Sequence, residues 1–353
     1  MALYTRLIRR RPRSVTKRWH LVFGTIASVG LAWAAVNGLV WDNVWDTLQH
    51  FQTGVVLLGI IPMLASMTLR AARWHVLLHD QQVSGWQTFM AQNTGIGVNN
   101  LSPIRMISEP VQLVIIIRHY GVAAPTAMAT LVAGNVLDIF ATGILMGFGV
   151  IISPDLRGLN VQLAGAFILF IVSVMVLIIV AKGLGVIPIA NRMRYFQQMV
   201  VALSLLRKQP KRLALSFGFT WLHWVLLGFA GWIIARSIGL DLNLVVITAL
   251  LVGTTFFVSA VPSLPGGVGS YELAMTHTLR ILGVDHATAF AFAVIMHLVV
   301  FLPPTTIAIV MLLRLGVSRI IKQSQQGVSN EEEKDQFGMN PPPASRRGPS
   351  PQA

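Results

Sequence analysis

The sequence predicts an all-α polytopic membrane protein, with about six full transmembrane helices and two broken or re-entrant helical hairpins arranged as an inverted repeat. Three observations predict it. The chain of 353 residues is 54% hydrophobic and 11% charged, with a mean hydropathy of +0.67, whereas a soluble chain carries about 25% charged residues. Several apolar runs reach the roughly 20 residues needed to cross a hydrocarbon layer about 30 Å thick. Third, a short pattern occurs once in each half. The first copy has Ser102-Pro103, Glu109, Gly121-Val122, Thr126-Ala127, Ala129 and Val132; the second has Leu264-Pro265-Gly266-Gly267, Glu272, Gly283-Val284, Thr288-Ala289, Ala291 and Val294. Paired broken segments in corresponding halves mark transport sites in inverted-repeat carriers.

The elements follow in chain order. Residues 1–19 form a basic tail, with Arg6, Arg9, Arg10, Arg11, Arg13, Lys17 and Arg18 and no acid, expected in the cytoplasm. The basic residues ahead of it, the length of the apolar run and the lack of a small-x-small site argue against a cleaved leader. Residues 20–41 form the first span. The loop around Asp42 and Asp46 has no Lys or Arg and is expected outside. Residues 53–72 return, ending at Arg70, Arg73 and Trp74. Residues 86–120 hold two shorter apolar pieces broken at Asn99-Asn100-Leu101-Ser102-Pro103, the first hairpin. Residues 124–152 cross outward and 160–182 cross back.

A cytoplasmic linker, 183–212, carries Arg192, Arg194, Arg207, Lys208, Lys211 and Arg212. Within it Ile189, Met193, Phe196, Val200, Leu203 and Leu206 recur at helical spacing, one apolar face suited to lying in the interface. Residues 213–236 cross outward, and 243–283 form the second hairpin, broken at Pro262-Ser263-Leu264-Pro265-Gly266-Gly267. Residues 286–313 cross inward to Arg314, and 316–353 form a polar tail, Pro-rich at Pro341-Pro342-Pro343, expected to be disordered and cytoplasmic.

Charge supports this topology over its reverse. The assigned outer loops hold only Arg157 and Arg236, while the basic clusters fall inside. The first hairpin then opens to the cytoplasm and the second to the outside. Repeat 1 runs over about 20–152 and repeat 2 over about 160–315, together a membrane domain of 20–315. The formal charge of +14 is explained by this orientation bias, so no nucleic-acid partner is expected. With no cysteine there are no disulfides or thiolate metal sites.

The candidate functional residues are polar groups at membrane depth. Glu109 and Glu272 can contact substrate, ion or proton, or can accept from backbone N–H groups freed at the breaks. Arg105, four residues before Glu109, can pair with it or hold a phosphate near a helix start; it can equally snorkel to water. Gly266 and Gly267 permit a tight turn and close ligand approach. Asp138, with Asn135 one turn back, and His297, at the repeat position of Asn135, can line a polar path or make interhelical hydrogen bonds. Histidine also titrates near neutrality. Arg70 and Arg73 read as an interfacial anchor or as a basic vestibule for anionic headgroups. His75 and His79 are four apart, but no third ligand accompanies them, since Asp80 is badly placed; neither a metal nor a cofactor is expected.

In the ordered set Arg70-Ala-Ala-Arg73-Trp74-His-Val-Leu-Leu78, Asn99-Asn100-Leu-Ser-Pro103-Ile-Arg105 with Glu109, Ala129 with Asp138, and Pro265-Gly-Gly-Val-Gly269 with Glu272 and Gly283, the chain resembles the flippase-like transmembrane domain of the lysylphosphatidylglycerol synthase family. The resemblance covers about residues 20–315. It implies a lipid-translocating protein of a prokaryotic inner or plasma membrane. It also departs from the family in two ways. Ser108 stands where members usually have glycine before the first acid, with Pro110 after it. Asn135 and His297 stand where members usually have arginine, so the polar cavity is expected to be less cationic. The family's soluble aminoacyl-transferring domain is absent, so lysyl transfer is not expected.

The leading expectation is a translocase for a lipid or lipid-linked headgroup, with Glu109, Arg105, Asp138 and Glu272 along the route. No Walker A sequence is present, so a facilitator or ion-coupled carrier is expected. Its substrate partner would be a membrane phospholipid or a lipid-linked glycan; a homo-oligomer and envelope-lipid biosynthetic enzymes are open as further partners. Two other readings stand beside it. A membrane-embedded transferase acting on lipid-linked sugars would use Asp42 and Asp46. A noncatalytic scaffold of an envelope-lipid pathway would need none of these acids.

Overall fold

In a computed structural model the described residues are 14–78, 80–102, 107–152, 171, 208–260 and 264–315. Among them are ten α-helices and no strand. They are α1 (Ser14–Val36), α2 (Trp41–His50), α3 (Thr53–Leu77), α4 (Gly85–Leu101), α5 (Ser108–Val114), α6 (Ala124–Ile152), α7 (Pro210–Ser237), α8 (Leu244–Ala260), α9 (Ser270–Ile281) and α10 (His286–Leu315). One compact unit extends through Ile309; from Val310 on lies a second unit, whose residues to Leu315 are helical.

Four helices are long and apolar enough to span a membrane: Thr53–Leu77, Ala124–Gly149, Pro210–Ser237 and His286–Arg314. Shorter apolar helices cover Thr25–Val36 and Leu244–Ser259. The four long helices match the expected spans 53–72, 124–152, 213–236 and 286–313; Thr25–Val36 falls within the expected span 20–41, and Leu244–Ser259 within the second hairpin, 243–283. The expected span 160–182, apart from residue 171, lies outside the described residues, as do the amphipathic linker face and the C-terminal tail. The segment around Asp42 and Asp46, expected to be a loop, is the helix α2. Its periodicity explains the difference: Val44 is buried while Trp41 and Trp45 are exposed, a pattern suited to an interfacial anchor.

The breaks fall where proline, glycine and asparagine interrupt the apolar runs. A reciprocal capping box between Ser84 and Gln87 starts α4. The helix runs through Asn99 and Asn100 and ends at Leu101, so the break begins just after the asparagines. Their amides then serve it. Asn99 Oδ1 accepts from the Ile107 N–H at 3.3 Å, and Asn100 Nδ2 donates to Thr305 Oγ1 at 3.1 Å on α10. Beyond the break α5 passes into a π-helical turn, Ile115–His119.

The repeated Gly-Val pair has a structural counterpart. Gly121 and Gly283 both adopt left-handed φ, 74° and 86°, where glycine avoids the Cβ penalty. In each case the following valine N–H returns to the preceding helix, Val122 to Ile116 and Val284 to Leu279, both at 3.1 Å. The next helix starts at Ala124 in one copy and His286 in the other, at matching alignment positions. Ala127, Ala129, Ala289 and Ala291 are all fully buried.

The packing core joins α3, α7, α8, α9 and α10. Helices α3 and α7 approach closely because Gly59 lies under Ile234 and the Ala230 carbonyl, with Met63, Met67 and Leu227 packed around them. Helix α8 packs on the same α7 through Gly231, which faces Ile247 and Leu251. Small residues that let backbones approach drive helix association in lipid. Pro303 and Pro304 sit inside α10, so its hydrogen-bond ladder lacks two donors there.

Candidate functional site

Two polar centres interrupt the apolar packing. The first lies between α3, α6 and α7. Arg73, only 4% exposed, places Nη1 2.5 Å from Asp138 Oδ2. Arg70, one turn earlier, lies in the electrostatic field of Asp138, Arg73 and Glu109. Of the two readings open for this arginine pair, Arg73 therefore departs from the interfacial anchor: it faces a buried carboxylate. The centre is also incompletely satisfied. Among the described residues Arg70 Nε, Arg73 Nε and Asp138 Oδ1 have no hydrogen-bond partner, and such groups are costly to bury.

Residues that sequence reasoning did not single out surround this centre. His223 on α7 feels the charges of Arg70, Asp138 and Arg73. Its Nδ1 donates to Ser66 Oγ at 2.6 Å, and the Ser66 hydroxyl donates to the His223 carbonyl at 3.0 Å. Trp74 Nε1 donates to Thr130 Oγ1 at 3.1 Å, joining α3 to α6. The available signal was the one used for Asp138, a polar side chain inside an apolar span; applied to 213–236 it selects His223.

Glu109 lies in the first turn of α5, just past the first break, and is exposed. Asn135 is exposed as well, and no side-chain hydrogen bond joins it to Asp138 among the described residues. Arg105 and its pairing with Glu109 lie outside the described residues.

The second centre is built on the second break. Leu264 leads into a single 3₁₀ turn, Pro265–Gly267, and α9 begins at Ser270. Gly266 and Gly269 take φ of 75° and 85°. Both are also crowded: a Cβ at Gly266 would strike the Phe301 ring, and one at Gly269 would lie 2.8 Å from the Ser28 carbonyl on α1. Ser28 Oγ accepts from the Leu264 N–H. Gly267 is buried with a φ of 86°.

Glu272 sits at the third position of α9, and its Oε2 accepts from the Gly269 N–H at 2.7 Å. The freed backbone donor is thus answered by the following carboxylate, as in a capping box. Glu272 Oε1 lies 2.5 Å from His297 Nδ1 on α10. His297 Nε2 donates to the Gly266 carbonyl at 3.0 Å. Tyr271 stacks on the imidazole at 4.5 Å between ring centroids, and Phe301 meets it edge-on at 5.6 Å. A half-open pocket of about 180 Å³ is lined by Val268, Glu272, Val294, His297, Leu298 and Phe301.

Glu272, Gly266 and His297 are therefore brought together, as are Arg70, Arg73 and Asp138, with Glu109 in electrostatic range of Arg70. Helix α4 of the first hairpin reaches the second break: it contacts the Pro265–Gly267 turn, and its Gly97 packs on the Pro304 carbonyl. Among the described residues no cluster of three potential metal ligands occurs.

Such an arrangement, apolar helices carrying two buried polar centres beside two interrupted hairpins, defines a multi-pass α-helical membrane protein. The chain belongs to the family of the lysylphosphatidylglycerol synthase transmembrane region, whose model matches residues 21–308. It is also similar to a UPF0104 membrane protein of Methanothermobacter thermautotrophicus, at 22% identity over 287 residues, covering 73% of this chain and 85% of that relative.

Proposed function

We propose that this protein moves a lipid, or a lipid-linked headgroup, between membrane leaflets. The observation that carries the reading is the Arg70–Arg73–Asp138 centre, where, among the described residues, the buried atoms Arg70 Nε, Arg73 Nε and Asp138 Oδ1 have no hydrogen-bond partner. A charged side chain at the middle of a spanning helix costs about 2.5–3.5 kcal/mol on insertion scales. Asp138 lies midway along α6, with Arg70 and Arg73 toward the end of α3, and keeping these side chains together makes sense where a polar headgroup completes their bonding in passing. Acyl chains would meanwhile stay in lipid, against the exposed Leu57, Leu58 and Ile61 of α3.

In this reading Glu109 and the Glu272–His297 pair mark the two hairpin ends of the route. The halves, about 20–152 and 160–315, act as oppositely oriented repeats, with both termini in the cytoplasm of a prokaryotic cell. The resemblance of the Gly121 and Gly283 caps supports the repeat. Its partner would be a phospholipid or a lipid-linked glycan.

Purified full-length protein in proteoliposomes containing fluorescent lipids tests this. Movement between leaflets is expected to exceed that of protein-free vesicles and to fall to that level in the Glu109→Gln, Glu272→Gln double variant. Unchanged movement in that variant sinks the assigned route.

A further inference from the structure

His297 makes two hydrogen bonds, and both of its partners are oxygen acceptors, Glu272 Oε1 at 2.5 Å and the Gly266 carbonyl at 3.0 Å. A neutral imidazole has one N–H and one lone pair, while an ionised carboxylate only accepts. Neutral His297 beside ionised Glu272 therefore leaves one contact with lone pairs opposed. Both contacts are hydrogen bonds only when one further proton sits on the pair. It can reside on the ring, giving imidazolium against carboxylate, or on Glu272, whose O–H then donates to Nδ1. The proton count belongs to the pair in either case.

The same pair holds the second break together. From the Gly266 carbonyl the chain of bonds runs through His297 to Glu272, and from Glu272 Oε2 to the Gly269 N–H. Both sides of the glycine turn are thus tied to α10 through one protonated pair. The half-open pocket reaches both side chains, which gives a proton a way in. Among the described residues around the pair, Tyr271 is the further titratable side chain, stacked on the ring. The neighbouring helices contribute Ser28 from α1 and Asn100 from α4, both uncharged.

We propose that Glu272 and His297 form a proton-binding site, and that the bound proton fastens the Pro265–Gly269 turn to α10. Release of the proton opposes two lone pairs and frees the turn. The site is defined without reference to lipid, so it stands or falls separately from the transport reading.

The chain contains no cysteine, so Val268→Cys in the full-length protein offers a single attachment point for a nitroxide label on the turn. Val268 is 48% exposed and lines the pocket. Label mobility is followed by electron paramagnetic resonance in lipid-free micelles from about pH 5 to about pH 9. Mobility is expected to rise with pH, the free-to-fastened ratio changing up to about tenfold per pH unit, the slope one proton allows.

Glu272→Gln gives an outcome that a merely structural carboxylate would not. Its amide can donate to Nδ1 and accept from Gly269 with no added proton, so the turn is expected to stay immobile throughout. His297→Arg, which supplies donors without titrating in this range, is expected to remove the transition too. A label at Trp45→Cys on α2 serves as the control and is expected to show no transition. Mobility at Val268 that is flat with pH in the otherwise unchanged protein overturns the proposal. So does a transition that persists unaltered in Glu272→Gln or His297→Arg, each checked for monodispersity.

Discussion

Arg73 Nη1 and Asp138 Oδ2 stand 2.5 Å apart, joining α3 to α6 through a pair that is almost entirely buried. Breaking a buried pair leaves an uncompensated charge, whereas replacing both partners by apolar side chains is often close to neutral. Asp138→Ala is therefore expected to destabilise the protein by about 3–5 kcal/mol. The double variant Arg73→Met, Asp138→Leu should recover most of that loss. Thermal unfolding of the three proteins in one detergent measures both quantities.

The Ser66–His223 contact makes a different prediction. It is a neutral interhelical hydrogen bond, and such bonds in membrane proteins average about 0.6 kcal/mol. Nδ1 of His223 also reaches the Ser66 carbonyl at 3.1 Å, so Ser66→Ala does not strand the ring. The expected loss is about 0.6 kcal/mol, well below that for Asp138→Ala in the same unfolding assay.

Two glycines should respond to alanine with opposite signs. Gly269 has a φ of 85° and lacks room for a Cβ, so Gly269→Ala is expected to cost more than about 1 kcal/mol. Gly218 lies inside α7 with nothing near the place a Cβ would take, so Gly218→Ala should stabilise by about 0.4–1 kcal/mol. Unfolding midpoints of the two variants against the parent protein check the contrast.

Asp285 supplies a pH dependence outside the spanning segments. Partial burial pushes its carboxyl up, but hydrogen bonds from Thr288 and from the Ala287 backbone outweigh that and hold it below the usual carboxylate range. The Thr288 N–H donates to Oδ1 at 3.0 Å, capping the start of α10. A carboxyl held low in the folded state adds stability above its unfolded pKa, and that contribution is lost as pH falls through the folded value. The unfolding midpoint of the parent protein should exceed that of Asp285→Ala near neutrality. The gap should close as pH falls below about 4, the ordinary aspartate value.

Much of the helical layout was legible because its signals are local. Apolar runs gave α3, α6, α7 and α10; asparagine with proline marked the first break, and proline with glycine the second. The Gly-Val echo was legible for a reason now visible, since each glycine ends a helix in a conformation other residues resist. Helix α2 was missed because ten residues with a mixed face read as a loop when only charge is counted. Glu272 and His297 were each singled out, but their contact was not, because their separation in sequence carries no pairing signal. His223 carried the same signal as Asp138, a polar group inside an apolar span, but its pairing was not legible. Its partner, Ser66, lies on a helix 157 positions away, and only tertiary packing joins them.

The prolines in α10 set a mechanical contrast with the pair formed by α3 and α7. Reciprocal Ser66–His223 bonds and the closely seated Gly59 fasten those two spans to each other at two points along their length, as a coupled beam. Helix α10 has two rungs missing at Pro303 and Pro304, a few residues beyond His297 and next to Phe301. Bending stiffness in a helix comes from those rungs, so α10 yields at that point before it yields elsewhere. Strain applied at the glycine turn would be absorbed as a change of angle within α10, while the α3–α7 beam keeps its shape.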